Sequence, residues 1–157
     1  MRLKKGFTLI ELLVVVSIIA MLTALIMVNF NAARERARDV QRKSDLDNVK
    51  KALRMYYNDN GLYPAHSTDN EIVGCGTGAS PAACGWGSGW TRQTMTYMKV
   101  LPQDTIQGQT YSYLQQSIGQ DFRLWATLEN KSDGEITKSQ ARCSGSWSVG
   151  QYVVCAD

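Results

Sequence analysis

An apolar run near the amino terminus constrains this chain more than any other feature. Phe7 to Phe30 form a stretch of 24 residues with a single charged side chain, Glu11. At a rise of ~1.5 Å per residue, a helix of this length is ~36 Å long, enough to cross a hydrocarbon layer of ~30 Å. The sequence therefore predicts a membrane-spanning helix.

Three basic residues precede the run and account for the positive net charge of the chain. Arg2, Lys4 and Lys5 lie within the first six residues, so the formal charge of +3 belongs to this short segment. No small-residue cleavage site ends the apolar run, so a conventional secretory signal is not indicated. Basic residues also follow the run, and charge counting alone leaves the orientation in a membrane open.

The helical pattern continues beyond the apolar run. From residue 31 no Pro or Gly interrupts the chain until Gly61, and we expect one helix from about Phe7 to Tyr57. Asn58 to Gly61 provide residues that tolerate a left-handed helix end, and Pro64 prevents continuation. The stripe of apolar residues at helical spacing consists of Ala33, Ala37, Val40, Leu46, Val49, Leu53 and Tyr56.

Residues 58–157 are expected to form a globular head. Residues 65–90 are predicted to be a loop, because six glycines surround Pro81. Residues 91–98, from Thr91 to Met98, are predicted to form a short helix that ends before Pro102.

Alternating apolar and polar residues predict strands in the second half of the head. Residues 111–115 and 122–128 alternate in this way, and residues 117–120 between them contain Gly119, so we expect an antiparallel hairpin. Trp147 to Val154 are predicted as a third strand. The expected fold class is α+β, with a long N-terminal helix packed on a small antiparallel sheet.

Four cysteines in the head indicate an oxidising compartment. They are Cys75, Cys84, Cys143 and Cys155, and none lies in the apolar run or the charged helix. Four cysteines allow three pairings, so the connectivity is open. We predict the two local bridges, Cys75 to Cys84 and Cys143 to Cys155, because short separations close loops with little strain.

Charge is distributed unevenly along the chain. Residues 34–54 carry a net charge of +4, and residues from Tyr56 onward carry −3. Opposite patches of this kind either help subunits to associate or belong to a solvated, mixed-charge helix face. The sequence does not indicate a nucleic-acid partner.

Few residues offer catalytic or metal-binding chemistry. His66 is the only histidine and lies in a polar loop, so neither a zinc site nor a Ser-His-Asp arrangement is expected, and we expect neither an enzyme nor a cofactor. Asp133 and Glu135, with Asn130 and Ser132, are either calcium ligands or part of a solvated turn. Four tryptophans are either core residues or an exposed binding surface: Trp86, Trp90, Trp125 and Trp147.

Two segments resemble a known family. Residues 4–12, Lys4-Lys5-Gly6-Phe7-Thr8-Leu9-Ile10-Glu11-Leu12, resemble the leader and mature start of type IV pilins and of type II secretion pseudopilins. Residues 56–64, which run from the helix end through Asn60-Gly61 to Tyr63-Pro64, resemble the junction between rod and head in the same proteins. Residues 101–104 partly resemble a segment of the major pseudopilin.

The resemblance implies a processing pathway and an architecture. A prepilin peptidase removes the cytoplasmic leader, residues 1–6, between Gly6 and Phe7 and methylates the new Phe7 amine. Residues 7–30 then act as the transmembrane and polymerisation segment, and residues 31–57 as the amphipathic part of the helix. The subunit starts as a single-pass protein of the inner membrane. It ends in an extracytoplasmic or extracellular filament, homo-oligomeric or mixed, built by a membrane assembly platform.

A physical argument, independent of the family resemblance, also singles out Glu11. A carboxylate inside a membrane helix costs roughly 2.5 to 3.5 kcal/mol on insertion scales, so it requires a partner or a route to water. No Arg or Lys lies between residues 6 and 33, whereas cleavage after Gly6 creates a cationic amine at Phe7, on this chain or a neighbour. The alternative is a side chain that reaches the interface.

Two functions follow from these expectations. The first is a structural subunit of a type IV pilus-like filament, either a surface pilus or a secretion pseudopilus. The second is a minor tip pilin that acts as a binding module for DNA, a surface or a secreted substrate.

Overall fold

The computed structural model describes residues 6–156, apart from the side chains at positions 25 and 27–29. Of the predicted leader, only Gly6 belongs to the described residues. The described chain confirms the α+β class, because a long N-terminal helix is packed on antiparallel strands. Two compact units are present, one ending at Ala37 and one beginning at Arg38.

Helix α1 extends from Leu9 to Asn60. Its end lies three residues beyond the predicted Tyr57, at the Asn-Gly pair. Gly61 has φ +74°, a left-handed conformation that glycine adopts without strain, and its N–H donates to the Tyr57 carbonyl at 2.7 Å. Of the predicted helix-ending residues, Asn58 to Gly61, the last one therefore ends the helix.

In the first unit, the described apolar side chains at and just before the start of α1 are largely exposed. Phe7 and Leu9 are each 81% exposed, and Ile10 is 71% exposed. Among the residues that the structure describes, no helix is long and apolar enough to cross a membrane.

The second unit contains three small antiparallel sheets. The first has the order β1-β2-β3, the second consists of β4 and β5, and the third has the order β6-β7-β8. The strands are β1 Ala65–His66, β2 Ile72–Cys75, β3 Ala82–Cys84, β4 Trp90–Arg92, β5 Met95–Met98, β6 Ser112–Gln116, β7 Asp121–Thr127 and β8 Gln151–Cys155.

The predictions for residues 65–98 were wrong. Residues 65–90, predicted as a loop, contain β1, β2 and β3, and the predicted helix from Thr91 to Met98 is the β4–β5 hairpin. Thr91 pairs with Thr96 across this hairpin, and Gln93 turns with φ +53°. Short strands leave a period-two pattern of only two to four residues, which the surrounding glycines obscure.

The predicted hairpin in the second half is confirmed. Strand β6 pairs antiparallel with β7, with Tyr113 opposite Leu124. A third strand is also present, but β8 begins at Gln151 rather than at Trp147. Trp147 instead precedes the strand, and its indole Nε1 donates to the Cys143 carbonyl at 3.0 Å.

A second helix, α2 (Gly134–Arg142), begins within residues 130–135, for which the sequence offered a solvated turn or a calcium site, and no element was predicted for residues 136–142. Asp133 is its N-cap, and its side chain accepts a hydrogen bond from the Glu135 N–H. Ile136 and Ser139 are buried. The sequence signal for this helix was the N-cap aspartate at position 133.

The core of the second unit joins α1 to the strands. From α1 it takes four of the predicted stripe residues, Leu46, Val49 and Leu53, each fully buried, and Tyr56, which is 8% exposed. Val40, also in the predicted stripe, is 64% exposed. The strands contribute the fully buried side chains of Ile72, Trp90, Tyr113, Phe122 and Leu124.

Candidate assembly site and the ion network of the head

Gly6 and Phe7, the predicted processing residues, lie before the first turn of α1. Both are exposed, and a Cβ on Gly6 would meet no described atom within 4 Å. Packing among the described residues therefore does not require glycine at this position.

Glu11, the predicted assembly residue, is bonded to Thr8. Its carboxylate Oε2 accepts from the Thr8 N–H at 2.8 Å and from the Thr8 hydroxyl at 2.6 Å. The Thr8 Oγ1 in turn accepts from the Glu11 N–H at 3.3 Å. This reciprocal arrangement is a capping box, which satisfies N–H groups that have no partner within the helix.

Sequence reasoning missed Thr8 as a functional partner of Glu11. The sequence does contain a signal for this pairing. A capping box has the pattern of Thr followed three residues later by Glu, directly before an apolar run. The sequence points to the Phe7 amine as the charged partner of the carboxylate, with a side chain that reaches the interface as the alternative. The structure adds two hydrogen-bond donors from within the same chain.

A buried ion network ties α1 to the rest of the second unit. Its centre is Arg42, whose side chain is 2% exposed. The guanidinium donates to Asp39 at 2.7 Å, to Glu129 at 2.8 Å, and to both oxygens of Asp104 at 2.7 and 3.0 Å. Arg38 adds a second guanidinium on Glu129, with Nε 2.7 Å from Oε1.

The acidic residues of this network also bind the backbone. Asp39 accepts from the N–H groups of Glu129 and Asn130, each at 2.9 Å. Asp104 accepts from the Ile106 N–H at 2.9 Å. The network thus holds the segment after β5 and the segment after β7 against α1.

The network shifts the pKa values of Glu129, Asp104 and Arg42. The hydrogen bonds from Arg38, opposed by partial burial and reinforced by Arg42, lower the pKa of Glu129 to about 2. Burial would raise the pKa of Asp104, but the bonds from Arg42 and from the Ile106 N–H lower it overall. The bond to Asp104 raises the pKa of Arg42. All these groups therefore carry charge at neutral pH.

A neighbouring polar contact extends the network along α1. The Tyr111 hydroxyl donates to Asp45 at 2.7 Å, and Gln41 donates to the other Asp45 oxygen at 2.7 Å. Burial, with the adjacent Asp45 charge, raises the pKa of Tyr111. The interpretation of residues 34–54 as a solvated, mixed-charge face is therefore wrong for Asp39, Arg42 and Asp45, which are buried.

The four cysteines form two disulfides. Cys75 is bonded to Cys84 at a sequence separation of 9, and Cys143 to Cys155 at a separation of 12. The first connects β2 to β3, and the second connects the end of α2 to β8. Each bridge therefore fastens neighbouring elements of the second unit.

The calcium candidates contact lysines. Asp133 accepts from Lys43 Nζ at 2.6 Å, and Glu135 accepts from Lys138 Nζ at 2.8 Å. The Lys43 bond lowers the pKa of Asp133, with a further contribution from the Glu135 N–H. Among the described residues, no group of three or more His, Cys, Asp or Glu side chains is arranged to hold a metal ion.

The remaining candidates lie within the head. His66 is exposed in β1, and its Nδ1 accepts from the Gln115 N–H at 3.3 Å. Trp90 is fully buried against Tyr56 and Tyr97, and Trp86 packs edge-on against Tyr111. Trp125 and Trp147 form a pair with ring centroids 6.0 Å apart. The described tryptophan contacts are thus mainly with other aromatic side chains of the same unit.

Two family models match the chain. Residues 1–27 match the prokaryotic N-terminal methylation motif. Residues 29–142 match the model described as type II secretion system (T2SS), protein G. The first match includes Gly6, Phe7, Thr8 and Glu11, and the second includes Arg42, Asp104 and Glu129 of the ion network.

The chain is also similar to several curated proteins. It is 42% identical over 82 residues to the type IV wide pilus major component PilA4 of Thermus thermophilus, covering 52% of this chain and 61% of that protein. It is 33% identical to the type II secretion system core protein G of Klebsiella pneumoniae, over 96% of this chain and 99% of that protein. The core protein G of Pseudomonas aeruginosa is 30% identical over 85% of this chain and 89% of its own length. No solved structure matches the chain.

Proposed function

Because this chain belongs to the type II secretion system protein G family, we propose that it is a structural subunit of a type IV pilus-like filament, assembled through its N-terminal helix. The observation that carries the proposal is the exposed start of α1, where Gly6 and Phe7 precede a helical segment whose described apolar side chains are exposed. A helix of this kind gains free energy by burying its apolar surface in a membrane or against other copies. The filament is either a surface pilus or a secretion pseudopilus.

Processing by a prepilin peptidase between Gly6 and Phe7 is part of the proposal. The match to the N-terminal methylation motif supports it, as does the absence of any described contact that requires glycine at position 6. A residue that the fold does not require is free to serve an external enzyme. The Phe7 amine released by this cleavage is methylated and remains cationic.

Before assembly, the subunit crosses the inner membrane with its leader in the cytoplasm. The support comes from the sequence, in which residues 7–30 carry a single charged side chain, since the described residues by themselves contain no helix that meets the requirement for a span. Residues 9–30 lie within the continuous helix α1 and extend over ~33 Å at ~1.5 Å per residue, close to the ~30 Å of a hydrocarbon core. The oxidised cysteines support a head outside the cytoplasm. A membrane assembly platform then moves the helix from the bilayer into the filament.

Glu11 pairs with the Phe7 amine of a neighbouring subunit in this mechanism. In the isolated chain its carboxylate is occupied by Thr8. A cation inside an apolar filament core forms a stronger, charge-assisted bond than these neutral donors. We therefore propose that Thr8 stabilises the free helix start and that the amine of the next subunit binds the carboxylate on assembly.

Intact-mass analysis tests the processing step. The full chain is expressed with a prepilin peptidase, filaments are sheared from the cells, and the intact mass of their subunits is measured. Wild-type subunits should lack residues 1–6 and carry one added methyl group. Gly6→Val should leave the precursor uncut and without filaments, whereas the matched change Leu3→Val elsewhere in the leader should be processed normally. Filaments built from uncut precursor would refute the mechanism.

Two substitutions separate the roles of Thr8 and Glu11. Glu11→Gln keeps a side chain that can complete the capping box but removes the charge, and Thr8→Val keeps the charge but removes the hydroxyl. The charge-pairing mechanism predicts a larger loss of sheared filaments for Glu11→Gln at equal membrane content. A larger loss for Thr8→Val would assign the assembly role to the cap instead.

A further inference from the structure

Two arginines follow the apolar run of α1. Arg34 and Arg36 lie four and six residues beyond Phe30, and both are exposed. The Arg34 guanidinium lies over the Phe30 ring, with Cζ 4.5 Å from the ring centroid. This cation–π contact holds one positive charge next to the last aromatic side chain of the run.

Neither arginine has an acidic partner among the residues that the structure describes. The next basic residues of α1 differ in this respect, because Arg38 binds Glu129 and Arg42 binds three carboxylates. The exposed Glu35 lies between Arg34 and Arg36 in sequence but forms no ion pair with either of them. The pair therefore presents two cationic groups that the described fold leaves without a counter-ion.

The distance of the pair from Phe30 matches the polar layer of a bilayer. At ~1.5 Å per residue, the Cα atoms of Arg34 and Arg36 lie ~6 and ~9 Å along the helix beyond that of Phe30. The headgroup region adds roughly 5 to 8 Å to each side of a ~30 Å hydrocarbon core. If Phe30 marks the end of the hydrocarbon layer, the two guanidinium groups lie at the depth of the lipid phosphates.

We propose that Arg34 and Arg36 bind the phosphate groups of anionic phospholipids in the leaflet on the head side of the membrane. The inference rests on the proposed membrane insertion of residues 9–30. A guanidinium group fits a phosphate with paired hydrogen bonds, and Phe30 provides an apolar contact at the interface. The occupant is a lipid headgroup because the pair adjoins the apolar run directly.

This contact affects the step from membrane to filament. When the helix leaves the bilayer, Arg34 and Arg36 must release their lipids. Anionic lipid therefore favours the membrane-held subunit over the assembled one. The lipid composition of that leaflet sets how readily subunits are withdrawn.

Native mass spectrometry of the full chain in lipid nanodiscs tests the proposal. The discs contain phosphatidylglycerol and phosphatidylcholine, and the ratio of the two lipids retained on the released monomer is measured. Arg34→Gln with Arg36→Gln should lower the preference for phosphatidylglycerol by roughly fivefold for each arginine. Arg34→Lys with Arg36→Lys should retain most of the preference, because the charge remains.

A control with the same change in charge is available in the second unit. Lys51→Gln with Lys138→Gln removes two exposed positive charges and should leave the lipid preference unchanged. The proposal is overturned if the arginine variant equals wild type or if the lysine control falls equally. Loss of filaments with an unchanged lipid preference would show that the pair binds a second copy of the chain instead, which also overturns it. The lipid measurement uses monomers, so failure of wild type to form filaments would count against the proposed function alone.

Discussion

Replacement of Arg42 by Met is expected to destabilise the head strongly at neutral pH. Met retains much of the aliphatic stem but removes the guanidinium that four hydrogen bonds join to Asp39, Asp104 and Glu129. Asp39 and Asp104 have side chains only 3% exposed, so water does not readily replace the lost partner. The substitution leaves two buried carboxylates close together without their central cation.

The expected magnitude follows from the burial of the network. Removal of one partner from a buried ion pair costs about 3 to 5 kcal/mol, most of which reflects the charge left behind. Arg38 still binds Glu129 and limits the loss on that side. With a urea slope of about 2 kcal/mol per molar, the midpoint should fall by about 2 M.

Urea unfolding of the full chain in detergent measures this effect. Tryptophan fluorescence reports the second unit, because all four tryptophans lie between residues 86 and 147. Lys51→Met is the matched control, since Lys51 lies on the same helix and is exposed, with only a 3.3 Å bond to Asn48. The control should remain within about 0.5 kcal/mol of wild type. A result for Arg42→Met as small as the control would refute the reasoning.

The pH dependence supplies an independent check on the same network. The pKa of Glu129 is lowered from 4.5 to about 2 in the folded state. Its ionised form therefore stabilises the fold above pH 4.5, and this contribution is lost as the pH falls through about 2. In Arg42→Met, acid instead protonates the uncompensated carboxylates and so removes their unfavourable charge. The difference in stability between wild type and variant should thus shrink between pH 4.5 and 2; a constant difference would contradict the electrostatic explanation.

Three further outcomes are expected. Glu11→Gln should lower the yield of sheared filaments without lowering membrane content or the urea midpoint of the head, and a wild-type yield would exclude charge pairing. Replacement of Cys143 and Cys155 by Ser should cost about 3 kcal/mol of unfolding free energy, because the bridge closes a loop at a sequence separation of 12; no change in the urea midpoint would show that packing alone fixes this region. Ile118 is 94% exposed with φ +54°, so Ile118→Asn should stabilise the head by about 0.5 to 1 kcal/mol, and destabilisation in the same assay would show that the Ile side chain has a packing role.

The elements that could be predicted from sequence were those with long or strongly local signals. The long helix, its end at Gly61 and the β6–β7 hairpin each follow from periodicity or turn chemistry within one stretch of chain. The short strands between residues 65 and 98 were not predictable in this way. Strands of two to four residues are stabilised by partners that are distant in sequence, and their own pattern is too short to distinguish from loop or helix.

The candidate functional residues also differ in whether their partners are near or distant in the sequence. The residues at and just before the start of α1 are neighbours in the sequence, so Gly6, Phe7 and Glu11 could be proposed from their order, and Thr8 could be added from the capping-box pattern. The Arg42 network was not, because Asp104 and Glu129 lie 62 and 87 residues away. A charged residue on a helix is solvated by default, and only tertiary packing decides which one is buried with carboxylates from distant segments. The sequence alone thus determined the helix and the motif at its start, whereas the tertiary structure decided which charged residues hold α1 against the distant segments of the second unit.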